Sequence, residues 1–258
     1  MHLDIIIPAH NEQHRIDTTL RDYRRCCDDD VRFVVAMDDC TDETAAVVDH
    51  HRRVDERVEA VTYPRLGKGG VVSETIRHAD ADYIAFVDAD GATPPDELVR
   101  LVETCETAGT DVAIASRYHP ASVLPAHRRR SRRLTSWAFA TAVRRMFGLP
   151  YFDTQCGAKV IRRDAAERIT PLLSSRDFVF DVDLLSTART LGYTVAEVPT
   201  VWIDQDGSRL STGRDSLRMA ASLALLWARN RVVPVRLPSA EVVALPADAT
   251  RAGSGRAA

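Results

Sequence analysis

The sequence predicts an α/β protein built on a parallel β-sheet that is covered by helices. Short β-branched runs alternate with polar helical stretches up to about residue 116, and this alternation is typical of parallel sheets. Polar or acidic residues follow several of these runs directly, and open α/β sheets bind their ligands at the carboxyl ends of the strands. The predicted strands cover residues 3–7, 31–37, 58–62, 83–87 and 111–116.

The elements differ along the chain. Residues 94–97 read Pro-Pro-Asp-Glu and open a predicted helix, because proline and acidic residues favour a first helical turn. Between 117 and 232 the alternation is lost: we expect an Arg-rich stretch, an apolar helix near 134–147, a loop, two more helices and a strand at 193–198. We therefore divide the chain into two halves of one domain, 1–116 and 117–232, and a Pro-, Ala- and Gly-rich disordered tail, 233–258.

Composition and charge exclude several classes of protein. The chain has 258 residues, of which 45% are hydrophobic and 28% charged, so it can bury the core of an ordinary globular domain. Disordered proteins, collagens and small disulfide scaffolds are excluded. With 34 basic and 37 acidic side chains the formal charge is -3, which gives no indication of a nucleic-acid partner.

Cysteine usage and hydropathy favour a cytoplasmic location. The five cysteines are odd in number, and the adjacent Cys26 and Cys27 cannot both serve an ordinary disulfide framework, so we expect reduced thiols. The first residues lack the pattern of a signal peptide. The most apolar later window, 217–228, is about a dozen residues long against the roughly 20 of a spanning helix, so no transmembrane segment is expected.

Two carboxylates follow the fourth predicted strand. Asp88 and Asp90 lie two residues apart, so their side chains point in one direction at the strand tip. Such a pair repels itself unless a cation lies between, and hard oxygen ligands suit Mg²⁺ or Mn²⁺ bridging a diphosphate. The alternative is a solvated aspartate turn, because short motifs often occur by chance.

The other strand ends disfavour two common nucleotide sites. The first strand lacks the Gly-x-Gly-x-x-Gly pattern of a dinucleotide fold, and residues 67–70 lack the full spacing of a P-loop, so NAD and P-loop ATP sites are disfavoured. The second strand ends in an acidic turn, 38–42. That turn suits hydrogen bonds to a base or ribose, or capping of the next helix.

These segments, taken in order, resemble the inverting family 2 glycosyltransferases of GT-A fold. More narrowly, they are similar to dolichyl-phosphate or polyprenyl-phosphate glucosyltransferases and mannosyltransferases. The resemblance covers about residues 3–210 and is carried by the segments 5–12, 38–42, 66–70, 88–93 and 153–157. It implies a single domain with a Rossmann-like, mostly parallel central sheet, helices on both faces, and a metal-dependent hexosyltransferase activity.

The resemblance also implies a nucleotide-sugar site. Its residues are Pro8, Ala9, Glu12, Asp38, Gly67, Lys68, Asp88, Ala89, Asp90 and Arg209. Asp88 and Asp90 would hold Mg²⁺ or Mn²⁺ on the donor diphosphate, and Arg209 would reach the diphosphate once donor is bound. His10 and Met37 stand where relatives usually carry Tyr and Asp. The donor therefore stays open between UDP-glucose, which is favoured, and GDP-mannose.

The acceptor side is expected to hold acids for catalysis and arginines for phosphate. Asp153 and Asp183 are the catalytic candidates, as base or as positioning groups; each could instead cap a helix or pair with an arginine. The resemblance implies that Arg117 contacts the acceptor phosphate, and Arg128 is a further candidate, because guanidinium groups bind phosphate oxygens bidentately. The run 128–133, which contains Arg128, could also contact anionic membrane or form a solvated loop.

The leading hypothesis is transfer of a hexose to a polyprenyl or dolichyl phosphate by a protein peripheral to the inner face of the cell membrane. A helix after residue 214 with leucines among arginines could be an interfacial anchor or a core helix. The alternatives are the same chemistry on a soluble acceptor, a nucleotidyltransferase, and a binding-only protein. The last is disfavoured because both Asp88 and Asp90 are present. The oligomeric state stays open.

Overall fold

A seven-stranded sheet with helices on both faces forms the molecule. The computed structural model describes residues 1–124, 130–203 and 214–232, without the side chains of 130–138, 214–217 and 232. The strands are β1 (Leu3–Ala9), β2 (Val31–Asp38), β3 (Val58–Tyr63), β4 (Tyr83–Phe86), β5 (Val112–Ser116), β6 (Lys159–Arg162) and β7 (Val195–Pro199). The helices are α1 (Ile16–Cys26), α2 (Thr44–Val54), α3 (Lys68–Ile76), α4 (Pro95–Ala108), α5 (Arg130–Phe147), α6 (Arg163–Ile169), α7 (Phe180–Thr190) and α8 (Arg214–Val232).

The strand order is β3-β2-β1-β4-β6-β5-β7. The β1–β2, β1–β4, β2–β3 and β5–β7 pairs are parallel, and β6 alone among these strands runs antiparallel to its neighbours β4 and β5. The predicted mostly parallel sheet is confirmed. Strands from before and after residue 116 pair within it, and the predicted tail, 233–258, lies outside the described residues.

Strand β6 is absent from the strands predicted above, where a loop was expected in its place. It has four residues, Lys-Val-Ile-Arg, and α6 begins directly after it. A segment of this length is too short to show the alternation of apolar and polar residues that identifies a strand. It also contains Lys159, a charged residue that is buried in the structure but makes the sequence look exposed. The other predicted strands and the helices near 94 and 134–147 are confirmed within a few residues.

Two hydrophobic cores lie on opposite faces of the sheet. One contains Ile16, Val48 and Leu98, which come from α1, α2 and α4. The other contains side chains from α3, α5, α6, α7 and α8, with Leu223 and Leu226 contributed by α8. The inner strands β1, β4 and β5 are buried on both sides, which explains why their sequences read as largely apolar runs, whereas the edge strand β3 exposes Glu59 and Thr62.

Helix α4 shows how local sequence fixes an element beside the site. Pro95 lies in its first turn with Asp96 and Glu97, where proline costs no hydrogen bond and acids face the positive helix end. The helix ends at Gly109, whose φ of 64° is the left-handed conformation that glycine adopts most readily. The predicted start of this helix is confirmed.

The direction of β6 decides what lies at the carboxyl edge of the sheet. Because β6 is antiparallel, its first residue and not its last lies there, and Lys159 pairs in register with Phe86 at the end of β4. The segment that leads into β6 therefore lies beside the residues that follow β4.

All five cysteines are free, as expected. Among the helices that the structure describes, none is long and apolar enough to cross a membrane.

Candidate functional site

The site lies where the parallel strands end, and its first part is a clamp around Asp38. The buried Asp38 carboxylate accepts hydrogen bonds from the backbone N–H groups of Leu66, at 2.6 Å, and Gly67, at 3.1 Å. Gly67 has a φ of 79°, and a Cβ there would collide with the Arg176 carbonyl, so glycine is required. The His10 ring lies at hydrogen-bond distance from the Asp38 carbonyl oxygen. Asp38 thus holds the loop that precedes α3.

The end of β1 is joined to the turn after β2. Asn11, at a φ of 56°, accepts hydrogen bonds on Oδ1 from the N–H groups of Thr41, at 2.7 Å, and Asp42, at 3.2 Å. The Glu12 N–H donates to Thr44, and the Glu12 carboxylate pairs with Arg15 at 2.9 Å. Glu12 and Asp38 both order loops of the predicted nucleotide-sugar site, next to Pro8 and Ala9 at the end of β1.

The paired carboxylates follow β4 as predicted, and a lysine neutralises one of them. Lys68, the first residue of α3, places Nζ 2.7 Å from Asp88 Oδ1. Burial alone would raise the pKa of Asp88, but the charge and hydrogen bond of Lys68, together with the charges of Lys159 and Arg117, outweigh it and the pKa is lowered. Burial, followed by the charge of Asp88, raises the pKa of Asp90, one oxygen of which accepts the Ala92 N–H at 3.0 Å.

These two carboxylates fit a divalent cation that is shared with a ligand. Asp88 raises the pKa of Asp90, so the two charges lie close enough to repel, and a cation between them would relieve that repulsion. No group of three or more His, Cys, Asp or Glu side chains in the described part of the chain could hold a metal ion. Two hard oxygen donors leave coordination positions open, which phosphate oxygens could fill.

Arg117 and Asp153, both predicted on the acceptor side, form an ion pair after β5. Nε and Nη2 of Arg117 donate to the two Asp153 oxygens at 2.6 and 2.9 Å, and the Arg117 N–H donates at 3.0 Å. Asp153 is 1% exposed. Burial would raise the pKa of Asp153, but Arg117 lowers it below the ordinary value. A low pKa makes a weak base, so this geometry favours the positioning interpretation of Asp153.

Residues of β7 and the segment after it hold the Arg117–Asp153 ion pair in place. Glu197 on β7 accepts the N–H groups of Phe152, at 2.9 Å, and Asp153, at 2.8 Å. The Arg117 guanidinium also lies 5.0 Å from the ring centre of Trp202, within range of a cation–π interaction. Arg117 is therefore fixed in direction, and phosphate binding by Arg117 stays a prediction.

Asp183 caps a loop. Its buried Oδ2 accepts the N–H groups of Ser174, at 2.7 Å, and Ser175, at 2.9 Å. These bonds give Asp183 a structural role in the loop rather than that of a helix cap, and Arg229 lies 3.9 Å from the same oxygen, as the arginine-partner alternative expects; a catalytic role stays a prediction. Ala89 has its side chain in the core, and its carbonyl accepts the Thr19 hydroxyl at 2.9 Å. Arg128 and Arg209 lie outside the described residues.

A second lysine, Lys159, lies in the site and is missing from the predicted residues. Lys159 is fully buried, and its Nζ donates to Asp181 Oδ1 and to the Cys156 carbonyl, both at 2.6 Å. One feature of the sequence could have identified Lys159 as a site residue. Lys68 and Lys159 are the only lysines of the chain, since arginine supplies every other basic side chain, and both belong to this site.

The family comparison agrees with this geometry. Residues 4–170 match the family described as Glycosyl transferase family 2. A dolichyl-phosphate beta-glucosyltransferase of Dictyostelium discoideum is 31% identical and aligns with 86% of this chain and 73% of its own length. The glycosyltransferase AglD of Haloferax volcanii is 30% identical over 90% of this chain, and the match spans only 38% of that protein.

Solved structures show the same fold. Glucosyl-3-phosphoglycerate synthase from Mycobacterium tuberculosis, in complex with Mg²⁺ and UDP, superposes with a TM-score of 0.67 at 18% identity, covering 90% of this chain and 80% of that one. Its complex with Mn²⁺, UDP and glucosyl-3-phosphoglycerate gives 0.65 at 17%, covering 90% and 81%. The predicted GT-A fold is confirmed, and the chain belongs to glycosyl transferase family 2.

Proposed function

We propose that the chain transfers glucose from UDP-glucose to a polyprenyl phosphate such as dolichyl phosphate, with Mg²⁺ or Mn²⁺ at Asp88 and Asp90. The observation that carries the proposal is the row of charges at the carboxyl edge of the sheet, where Asp88 and Asp90 lie near Lys68 and Arg117. Relatives named as dolichyl-phosphate beta-glucosyltransferases support the choice of sugar and acceptor.

The donor half of the proposal rests on the residues after β1, β2 and β4. Asp38 holds the Leu66–Gly67 backbone, so the loop that carries Lys68 into the site has a fixed position. Lys68 already neutralises Asp88, and a bound diphosphate would offer its ammonium a second anionic partner. A divalent cation held by Asp88 and Asp90 would neutralise charge that builds on the leaving diphosphate.

The acceptor half rests on Arg117 and Asp153. A phosphate monoester has a second pKa near 6, so at pH 7 the acceptor is already largely dianionic and needs aiming more than deprotonation. Asp153 meets that need by fixing the guanidinium of Arg117, while its lowered pKa suits it poorly to take up a proton. The acceptor oxygen would then attack the anomeric carbon as the bond to the nucleoside diphosphate breaks.

A lipid acceptor requires contact with a membrane, and we assign that contact to the outer side of α8. Leu223 and Leu226 face the core, whereas Leu225 is 73% exposed on the same helix. Arg218 and Arg229 are exposed nearby in the sequence. An apolar side chain among cations suits a surface of anionic lipids. We place the protein at the cytoplasmic face.

A product assay tests the proposal. The full chain would be incubated with UDP-glucose or GDP-mannose, with Mn²⁺ or EDTA, and with dolichyl phosphate in detergent, 3-phosphoglycerate, or buffer alone. We expect glucose-linked lipid in the organic phase only when UDP-glucose, dolichyl phosphate and Mn²⁺ are all present. If product forms only on 3-phosphoglycerate, the proposed lipid acceptor is wrong. If product forms only from GDP-mannose, the proposed donor is wrong.

A further inference from the structure

Gly157 lies against the Asp88 carboxylate, and it leaves no room for a side chain. A Cβ built at Gly157 would overlap Cγ and Oδ2 of Asp88. One face of the Asp88 carboxylate is therefore covered by backbone, while Lys68 contacts Oδ1 at 2.7 Å. Asp88 is confined between the two.

The peptide that covers Asp88 is itself anchored by a buried ion pair. The Cys156 carbonyl, one residue before Gly157, accepts a hydrogen bond from Lys159 Nζ at 2.6 Å. The same ammonium pairs with Asp181 Oδ1 at 2.6 Å, and both side chains are at most 3% exposed. Asp181 lies in the first turn of α7, so the pair ties the segment before β6 to that helix.

The position of Lys159 follows from the strand direction. Lys159 is the first residue of β6, opposite Phe86 of β4, and its Nζ lies 5.4 Å from the Phe86 ring centre. Asp88 comes two residues after Phe86 on the neighbouring strand end. A buried ion pair is costly to desolvate and is a poor way to gain stability, so a positional role is worth testing.

We propose that Gly157, Lys159 and Asp181 act together as positioning residues for the Asp88 carboxylate. Lys159 and Asp181 fix the Cys156 carbonyl, this places Gly157, and Gly157 sets where Asp88 presents its oxygens to a divalent cation. None of the three is required to touch the donor or the acceptor. The inference rests on the proposed function, because it assigns the cation to Asp88.

Direct binding tests the inference without relying on turnover. The affinity of the full chain for UDP would be measured by calorimetry with MnCl₂ and with EDTA, and Mn²⁺ binding by paramagnetic resonance. For Gly157→Ala we expect Mn²⁺ affinity in the presence of UDP to fall about 10- to 100-fold, the usual cost of disturbing the residues that orient a metal ligand. UDP affinity in EDTA should not change.

Two further variants separate position from folding. Lys159→Met/Asp181→Leu replaces the buried pair by apolar groups of similar size, a change that is often neutral for stability. It should stay folded, with a melting temperature lowered only by loss of the hydrogen bond to the Cys156 carbonyl, and it should lose Mn²⁺ affinity as Gly157→Ala does. Gly109→Ala, the control, strains a left-handed glycine at the end of α4 with nothing within 4 Å of the new Cβ, so it should lower the melting temperature alone.

The outcomes distinguish the inference from the proposed function. If wild type binds Mn²⁺ with UDP and Gly157→Ala binds them equally well, the positioning role is wrong while the proposed function stands. If wild type shows no Mn²⁺-dependent UDP binding, the metal assignment of the proposed function fails first. A double variant that does not fold leaves the decision to Gly157→Ala.

Discussion

Asp153 and Arg117 form one buried ion pair, and each partner fixes the position or the charge of the other. The carboxylate holds the guanidinium in a two-point geometry, and the guanidinium keeps the carboxylate charged although it is buried. Removing either partner leaves an uncompensated charge in the interior. We therefore expect changes at these positions to alter the stability of the protein as well as the proposed acceptor contact, so experiments must measure both.

We expect Asp153→Asn to lower the free energy of unfolding by about 3 kcal/mol at pH 7, the low end for breaking a buried pair. The lowered pKa of Asp153 fixes the pH dependence. The stability from this group is complete above the ordinary aspartate pKa of about 3.9 and is lost as pH falls through that value toward the folded one. The acid limb of a urea-unfolding series should thus be shallower in Asp153→Asn. Asp96→Asn, on the exposed first turn of α4, is the control.

Arg117→Lys tests the acceptor contact while keeping the charge. Lysine lacks the planar fork, so we expect kcat/KM for dolichyl phosphate to fall by about 1.5 to 3 kcal/mol in free-energy terms. The affinity for UDP with Mn²⁺ should stay at the wild-type value, and slow hydrolysis of the donor by water should persist. Wild-type acceptor kinetics would remove Arg117 from the acceptor site.

Asp88→Ala and Asp90→Ala should each reduce kcat by at least about 100-fold, because each would remove an oxygen ligand of the proposed cation, whose charge would stabilise the leaving group. Both residues lie in a loop, so melting temperatures should stay near wild type. Asp96→Ala removes an exposed acid six residues further on and should leave kcat unchanged. Turnover near the wild-type rate in either site variant would contradict the metal assignment.

At the scale of elements, the antiparallel direction of β6 completes the candidate site at the carboxyl edge of the sheet. A parallel strand in its position would send its first residues to the opposite edge, whereas the antiparallel β6 brings Gly157, which precedes it, beside Asp88. The sequence predicts the residues after β1, β2 and β4, because each follows an apolar run that no charged side chain interrupts near its end, whereas β6 begins and ends with a charged residue. It does not reveal that Asp153 pairs with Arg117 or Lys159 with Asp181, since those contacts depend on strand order and on a four-residue strand without a period.

An ion cluster between α1 and α2 offers a test that separates stability from function. Asp55, at the end of α2, accepts from Arg24 at 2.6 Å and from Arg57 at 2.9 Å, and these bonds, opposed by burial, lower its pKa. We expect Asp55→Ala to cost about 2 kcal/mol in urea unfolding, as for a hydrogen bond to a charged group. Its kcat should match wild type, because the cluster lies away from the residues after β4 and β5. A loss of turnover in the folded variant would mean that this cluster contributes to the site.

At the scale of the whole molecule, the two faces of the sheet differ in what their outer helices expose. On the α8 side Leu225 is exposed beside arginines, and Arg231 stacks 3.9 Å from the ring centre of Trp227. On the other side Val54, 59% exposed, ends α2. The arginine run 128–133 is only partly described, so the membrane contact is tested through α8.

We expect the protein to sediment with anionic liposomes at low ionic strength and to be released by salt, because exposed charges are screened over about 8 Å at physiological ionic strength. Leu225→Gln should weaken liposome binding at every salt concentration, since an apolar side chain that enters the lipid boundary contributes independently of charge. Val54→Gln removes an exposed apolar side chain from the opposite face and should bind as wild type does. Equal losses in the two variants would show that α8 is not the contact surface. If the wild type does not sediment with liposomes at low salt and forms product on a soluble phosphate, the proposed lipid acceptor is wrong.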